Sequence, residues 1–204
     1  MKKSNKVKVP TPYGVFDMQA YHDTHLDTDH VVVTAEVPRD EIPIVRLHSE
    51  CITGDIFGSY RCDCGEQLHE SLKLIDKKGG YLIYLRGHEG RGIGVLNKLN
   101  AYKLQDEGVD TLDANLQLGF EADQRDYTGA LEILNELGIS KLQLLTNNPN
   151  KADFLIDNGI EVARTLSVEI SPTKQNLNYL KTKKSRMSHN LKLDGKSHIS
   201  QEEK

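Results

Sequence analysis

The sequence predicts a mixed α/β fold on two observations. Units of short strand, loop and amphipathic helix recur along the chain, and the composition supplies a core for one domain. Of 204 residues, 37% are hydrophobic and 27% are charged, the balance of a globular protein with one core of ordinary size. From Val7 to Val37 the chain is β-prone, broken by Pro10, Pro12 and Gly14 and stopped at Pro38, with Val31, Val32 and Val33 as its strongest strand signal. Ile42 to Leu47 is a further β-prone run. Glu66 to Lys78 sets Leu68, Leu72 and Ile75 at helical spacing and ends at the breaker Gly79-Gly80, which predicts an amphipathic helix.

Tyr81 to Leu85 reads as a buried strand and runs into the loop Gly87-His88-Glu89-Gly90-Arg91-Gly92-Ile93-Gly94. Val95, Leu99 and Tyr102 then open the next helical face, which extends to about Glu107. A third helix is predicted from Arg125 to Leu137, with Ala130, Leu131, Leu134 and Leu137 inward and Gly138 as its stop. Lys141 to Thr146 is a strand, after which Asn147-Asn148-Pro149 supplies an N-cap and a first-turn proline for a helix through Asp157. No internal repeat is present. Past Asn178 the chain turns basic with Lys181, Lys183, Lys184 and Arg186. Residues 1–189 are expected to form one domain and 190–204 a flexible tail.

A net charge of -4 excludes a globally basic surface, so no nucleic-acid partner is expected. Met1 to Lys8 is basic but is not followed by an apolar stretch of signal or membrane length. A cytoplasmic location and no membrane association follow as expectations.

Three cysteines cannot all pair within the chain, and they cluster as Cys51 and Cys62-Asp63-Cys64. In a reducing compartment such clustering favours metal ligation or catalysis over bridges. Thiolates are good zinc ligands, and this spacing brings three to one tetrahedral ion. Three readings stay open: unbound buried thiols, a closed structural zinc site whose fourth ligand is His48, His69 or an Asp, or an open zinc site with water in the fourth position. The glycine loop, between a strand and a helix, is the geometry that receives phosphate on backbone N–H groups. It matches neither the dinucleotide fingerprint nor a Walker A loop. Glu89 and Arg91 within it place an acceptor for a guanine-like edge beside a cation for phosphate. Lys151 in the first turn after Asn148-Pro149 adds a second anion-favouring position.

Several segments together resemble the GTP cyclohydrolase II family. They are Arg46 to Asp55, Arg61 to Leu68, Tyr84 to Gly94, Ala101 to Asp106, Leu118 to Phe120 leading to Asp123-Gln124-Arg125-Asp126, Leu145 to Pro149 with Lys151, and Tyr179 to Lys183 through Met187-Ser188-His189. The blocks stand in the family's order from about Val9 to His189. The departures are Asn100 for a frequent basic residue, His88 for a frequent glutamine and Asn150 for a frequent lysine.

The resemblance implies a GTP cyclohydrolase II-like fold and the first step of riboflavin synthesis. GTP would be hydrolysed to 2,5-diamino-6-(5-phosphoribosylamino)pyrimidin-4-one, with formate leaving from C8 and pyrophosphate from the triphosphate, by a homodimer using Zn²⁺ and Mg²⁺. It implies Cys51, Cys62 and Cys64 as zinc ligands, with the zinc activating water, and Tyr102 at the ring chemistry. It gives Asp123 as proton acceptor and Arg125 as either the nucleophile at the α-phosphorus or a stabiliser of charge there. A guanidinium with a pKa above about 12 suits the second role better. GTP contacts fall on Arg46, Leu47, His48, Ser49, Glu50, Gln67, Glu89, Gly90, Arg91, Thr111, Thr146 and Lys151, with Arg46, Arg91 and Lys151 on phosphate. Many relatives carry an additional dihydroxybutanone-phosphate synthase domain; because the resemblance starts near the first residues, a monofunctional chain is expected. The alternative, a zinc-structured binding module, requires a closed four-ligand site and a basic patch over Lys181 to Arg186.

Overall fold

One mixed sheet runs through the chain in the computed structural model, which describes residues 1–187, 189, 191–193 and 198–201. Its strands are β1 (Lys2–Lys3), β2 (Val7–Thr11), β3 (Gly14–Asp23), β4 (Thr28–Ala35), β5 (Ile44–Ser49), β6 (Gly80–Leu85), β7 (Lys141–Leu145), β8 (Glu161–Glu169) and β9 (His198–Gln201). They lie in the order β1-β3-β4-β6-β5-β7-β8-β9, with β2 paired to β3. The N-terminal strands pair antiparallel up to β4 with β6, whereas β6, β5, β7 and β8 are mutually parallel. The chain passes from β5 to β6 on one side and returns to place β7 on the other. The carboxyl end of β5 is therefore a topological switch point, where α/β sheets open a crevice for ligands.

Among the described residues, seven α-helices connect these strands: α1 (Ile52–Asp55), α2 (Cys64–Lys78), α3 (Gly94–Asp106), α4 (Thr111–Gln117), α5 (Thr128–Glu136), α6 (Pro149–Asp157) and α7 (Leu177–Arg186). Alternation along β6 divides the core in two. Leu82 packs with Phe16 and Val33 beneath Leu72 and Ile75 of α2, and Ile83 and Leu85 pack on the other face with Ala130, Ile133 and Leu134 of α5. Each such fully buried aliphatic side chain contributes about 1.5–3 kcal/mol, so both layers hold the sheet. Asn148 caps α6 as expected, its side chain accepting from the Asn150 amide at 3.1 Å.

Two expectations need correction. On α3 the predicted inward face fails: Val95 and Leu99 are exposed, and Lys98 and Ala101 are buried instead. That helix packs its inner face on a polar cleft, so apolar side chains have no core to enter there. The third predicted helix begins only at Thr128, because residues 123–126 form a loop in which Asp126 Oδ1 accepts from the Thr128 amide and hydroxyl. The basic stretch after Asn178 forms α7, whose Lys183 pairs with Asp63 and whose Arg186 pairs with Asp110 and Asp113. Of the expected tail, residues 190, 194–197 and 202–204 lie outside the described residues, and 198–201 pair antiparallel with β8. Among the described residues, no helix is long and apolar enough to cross a membrane.

Candidate functional site

A cleft opens at the carboxyl ends of β5, β6 and β7 and is lined also by residues of α3, α4 and α7. Every site residue expected from sequence lines it except Leu47 and Asp123. Leu47 is a core residue that contributes its carbonyl oxygen, the acceptor of Lys151 Nζ at 2.7 Å. Asp123 is ion-paired with Arg125, which does line the cleft.

One end of the cleft holds the cysteines. Cys51 caps α1, Cys64 opens α2 and Cys62 lies in the loop between them. The three sulfurs fall within 4.8 Å of one another, and those of Cys51 and Cys62 are 3.7 Å apart. Two sulfurs each about 2.3 Å from one tetrahedral ion stand roughly 3.8 Å apart, so the donor set fits zinc. Gly54 makes room for them: a Cβ there would sit 2.8 Å from Cys62 Sγ and 3.2 Å from Cys51 Sγ. Among the described residues, no other His, Cys or carboxylate joins the group. His48 is turned to Asp55 at 3.1 Å, and His69 stacks on Tyr13. The Tyr102 hydroxyl lies 3.2 Å from Thr53 Oγ1, which is 3.7 Å from Cys51 Sγ. Burial pushes the Tyr102 phenol above its usual pKa, so it stays protonated at neutral pH.

Cations gather at the other end. Arg46 donates to the Leu145 carbonyl at 3.0 Å and to Gln67 at 2.7 Å, and its buried Nε has no partner. Lys151 donates to the Leu47 carbonyl, and burial together with the charges of Arg46 and Arg125 drives its ammonium well below its usual pKa. Arg91, also pushed down by burial, keeps a buried Nη1 without a partner. Arg125 has a full counter-ion, Asp123, at 2.8 Å from Nε and 2.5 Å from Nη2. Burial opposes its charge, but the hydrogen bonds and charge of Asp123 prevail and hold Arg125 above its usual range. Among the described residues, Arg46, Arg91 and Lys151 have no carboxylate within ion-pair distance, so this end of the cleft suits an anion.

The glycine loop ties the two ends together. Gly90, Arg91 and Gly92 adopt positive φ in succession, 61°, 68° and 95°. For a non-glycine such as Arg91 that conformation costs about 1–3 kcal/mol and is characteristic of functional loops. Gln124 N donates to the Arg91 carbonyl at 3.0 Å, which docks the loop against the segment bearing Asp123 and Arg125.

Residues 2–167 match the family model described as GTP cyclohydrolase II. The chain belongs to that family. A GTP cyclohydrolase-2 from Hahella chejuensis is 48% identical over 90% of this chain and 89% of that protein. Riboflavin biosynthesis proteins RibBA from Phocaeicola vulgatus and Aquifex aeolicus are 46% and 45% identical, covering 94% and 93% of this chain but 48% and 47% of those proteins. The chain thus spans about half the length of the RibBA relatives it matches.

Within this GTP cyclohydrolase II domain, several cleft residues escaped the sequence reading. Lys98 Nζ donates to Glu89 at 2.5 Å and to Cys51 Sγ at 3.0 Å. Glu89 gives its second oxygen to the Ile52 amide at 2.6 Å, so both of its oxygens are engaged. Asp63, between two cysteines, accepts from Gln67 at 2.6 Å and Lys183 at 2.9 Å. Asp55 accepts from His48, Tyr84 and the Cys51 amide. Only spacing could have pointed to any of them. Lys98 falls four residues before Tyr102, one helical turn along the same face.

Proposed function

We propose that this chain hydrolyses GTP to 2,5-diamino-6-(5-phosphoribosylamino)pyrimidin-4-one with release of formate and pyrophosphate, the entry step of riboflavin synthesis. One observation carries the reading: a single cleft joins three converging thiols to buried cations that lack counter-ions. A nucleoside triphosphate spans such a site, its base at the sulfur end and its phosphates among Arg46, Arg91, Arg125 and Lys151. Held by Cys51, Cys62 and Cys64, Zn²⁺ supplies nucleophile activation at the purine ring carbon. The protonated Tyr102 phenol acts there as the proton donor.

At the phosphate end, Arg125 stabilises charge on the transferring group. A guanidinium paired with Asp123 through two N–H groups is too firmly protonated to act as nucleophile. Burial and the neighbouring cations depress the Lys151 ammonium, and an anion entering the cleft relieves that depression. Mg²⁺ accompanies the triphosphate. Residues 1–189 act as one cyclohydrolase unit, in a homodimer, in the reducing cytoplasm that keeps the thiols free. Incubating the purified protein with GTP, Mg²⁺ and Zn²⁺ and quantifying both products tests the proposal; absence of formate overturns it.

A further inference from the structure

His88 lines the cleft, is 3% exposed and has no role in the chemistry above. Its ring joins three segments. Nε2 lies 2.8 Å from the Asp126 carbonyl oxygen, and Nδ1 lies 3.2 Å from Ser49 Oγ. Ser49 Oγ is in turn 3.3 Å from Arg125 Nη1.

Proton positions along this chain follow from the donors and acceptors alone. A carbonyl oxygen only accepts, so Nε2 carries the proton. In a neutral ring Nδ1 is then an acceptor, and the Ser49 hydroxyl must donate to it. That turns a lone pair of Ser49 toward Arg125, whose guanidinium can only donate. Every partner finds its complement, and reversing the imidazole tautomer would set acceptor against acceptor at Asp126, a clash that no rotation of the Ser49 hydroxyl relieves. Asp123 already holds Nε and Nη2 of Arg125. Ser49 supplies the third fixed contact, on the edge that Asp123 leaves free. Asp126 is the next residue after Arg125, so His88 grips the arginine's segment both through the side chain and through the backbone.

We propose that His88 is a positioning residue for the phosphate end of the site: as a neutral imidazole with its proton on Nε2, it sets the direction of the Ser49 hydroxyl and thereby the orientation of the Arg125 guanidinium. The kinetic consequence rests on the GTP reading given above; the tautomer does not. A ring that merely packed against Tyr127, which it meets edge-on with centroids 5.3 Å apart, would be replaceable by any side chain of similar size. A positioning ring is replaceable only by a group offering one acceptor and one donor, as a glutamine amide does.

The test compares His88→Leu, His88→Gln, Ser49→Ala and the His88→Leu/Ser49→Ala double variant, with formate and pyrophosphate measured separately. His88→Leu lowers kcat for pyrophosphate release by about 10- to 100-fold, with KM for GTP changed by less than about threefold. His88→Gln recovers that loss to within about threefold of the parent protein. The double variant is no slower than the slower single variant, because both act through one hydroxyl. Unchanged kcat in a folded His88→Leu protein, equal loss in the Gln and Leu variants, or additive losses would each overturn the proposal. Independently of turnover, ¹⁵N NMR of the histidine rings at pH 7 shows His88 protonated on Nε2 alone, with its Nδ1 resonance moved by Ser49→Ala. A cationic or Nδ1-protonated ring refutes the proposal even in a protein that proves inactive on GTP. A parent protein that releases neither product while showing the expected tautomer refutes only the GTP reading.

Discussion

Replacing Gly54 by alanine tests the thiol cluster by sterics alone. The added Cβ would stand 2.8 Å from Cys62 Sγ, 3.0 Å from Cys64 Cβ and 3.2 Å from Cys51 Sγ. Ordinary contacts between such atoms are about 3.5–4.0 Å, so the Cys62 sulfur must retreat by roughly 1 Å. A zinc site tolerates only about 0.2 Å of error in each ligand distance. The variant therefore loses at least one good ligand, and its zinc affinity falls by about 100-fold or more. Overpacking costs about 1–3 kcal/mol, less than the roughly 5–15 kcal/mol that keeps an average domain folded. Chelator competition measures the affinity, and a circular-dichroism melt shows that the protein is folded. A folded Gly54→Ala variant with parental zinc affinity refutes the assignment of these three thiols to one ion.

Lys98→Met leaves the buried Glu89 carboxylate with only the Ile52 amide; breaking such a pair costs about 3–5 kcal/mol, and a melting temperature lower by roughly 10 °C is expected. A melt that does not move would show the ion pair to be unimportant. Tyr102→Phe removes the hydroxyl 3.2 Å from Thr53; formate release should fall about 100-fold or more with pyrophosphate release retained, and equal loss of both products would argue against a role confined to the ring chemistry. His88, facing Arg125, Lys151 and His30, is lowered by burial first and those charges next, from 6.5 to about 3. Between these values the unfolded chain holds the extra proton, so the contribution to stability is full above 6.5 and is lost as pH falls through that window. From pH 6.5 to about 4 it amounts to about 3 kcal/mol, and the denaturant midpoint of His88→Gln should fall less steeply with acid than the parent's. Parallel curves would mean that the ring is not buried neutral.

How much of this was legible in the sequence depended on whether a residue's environment was local. The face of α2 could be read because Leu72 and Ile75 meet an apolar sheet face, so periodicity and burial agree. The same rule misread α3, where Lys98 is buried and Leu99 exposed, because the partner of that helix is a charged cleft. The start of α4 did carry a local sign, Asp110 accepting from the amides of Leu112 and Asp113, but only a short helix follows it. Cys51, Cys62 and Cys64 were legible from spacing, and the glycine loop from composition. Asp63, Lys183 and Arg186 were not: each finds its partner across more than 70 residues, and nothing in the surrounding sequence marks a distant counter-ion.

Those long-range pairs explain how two chemically opposite halves share one cleft. The sulfur end is anionic once its thiols ionise, and the phosphate end is cationic, so side chains of the two ends attract one another. Separation is imposed by residues that belong to both. Asp63 lies between Cys62 and Cys64 in the chain, yet its carboxylate holds Gln67, whose other amide atom holds Arg46. Glu89 lies in the phosphate-type loop, yet it holds Lys98 against Cys51. Each of these carboxylates pairs with a cation of the cleft, Asp63 with Lys183 and Glu89 with Lys98. The arrangement fixes Arg46 at one end and Lys98 at the other. It leaves Lys151 and the free edges of Arg46 and Arg91 as the positive groups without a carboxylate partner, and an anion entering the cleft must meet them.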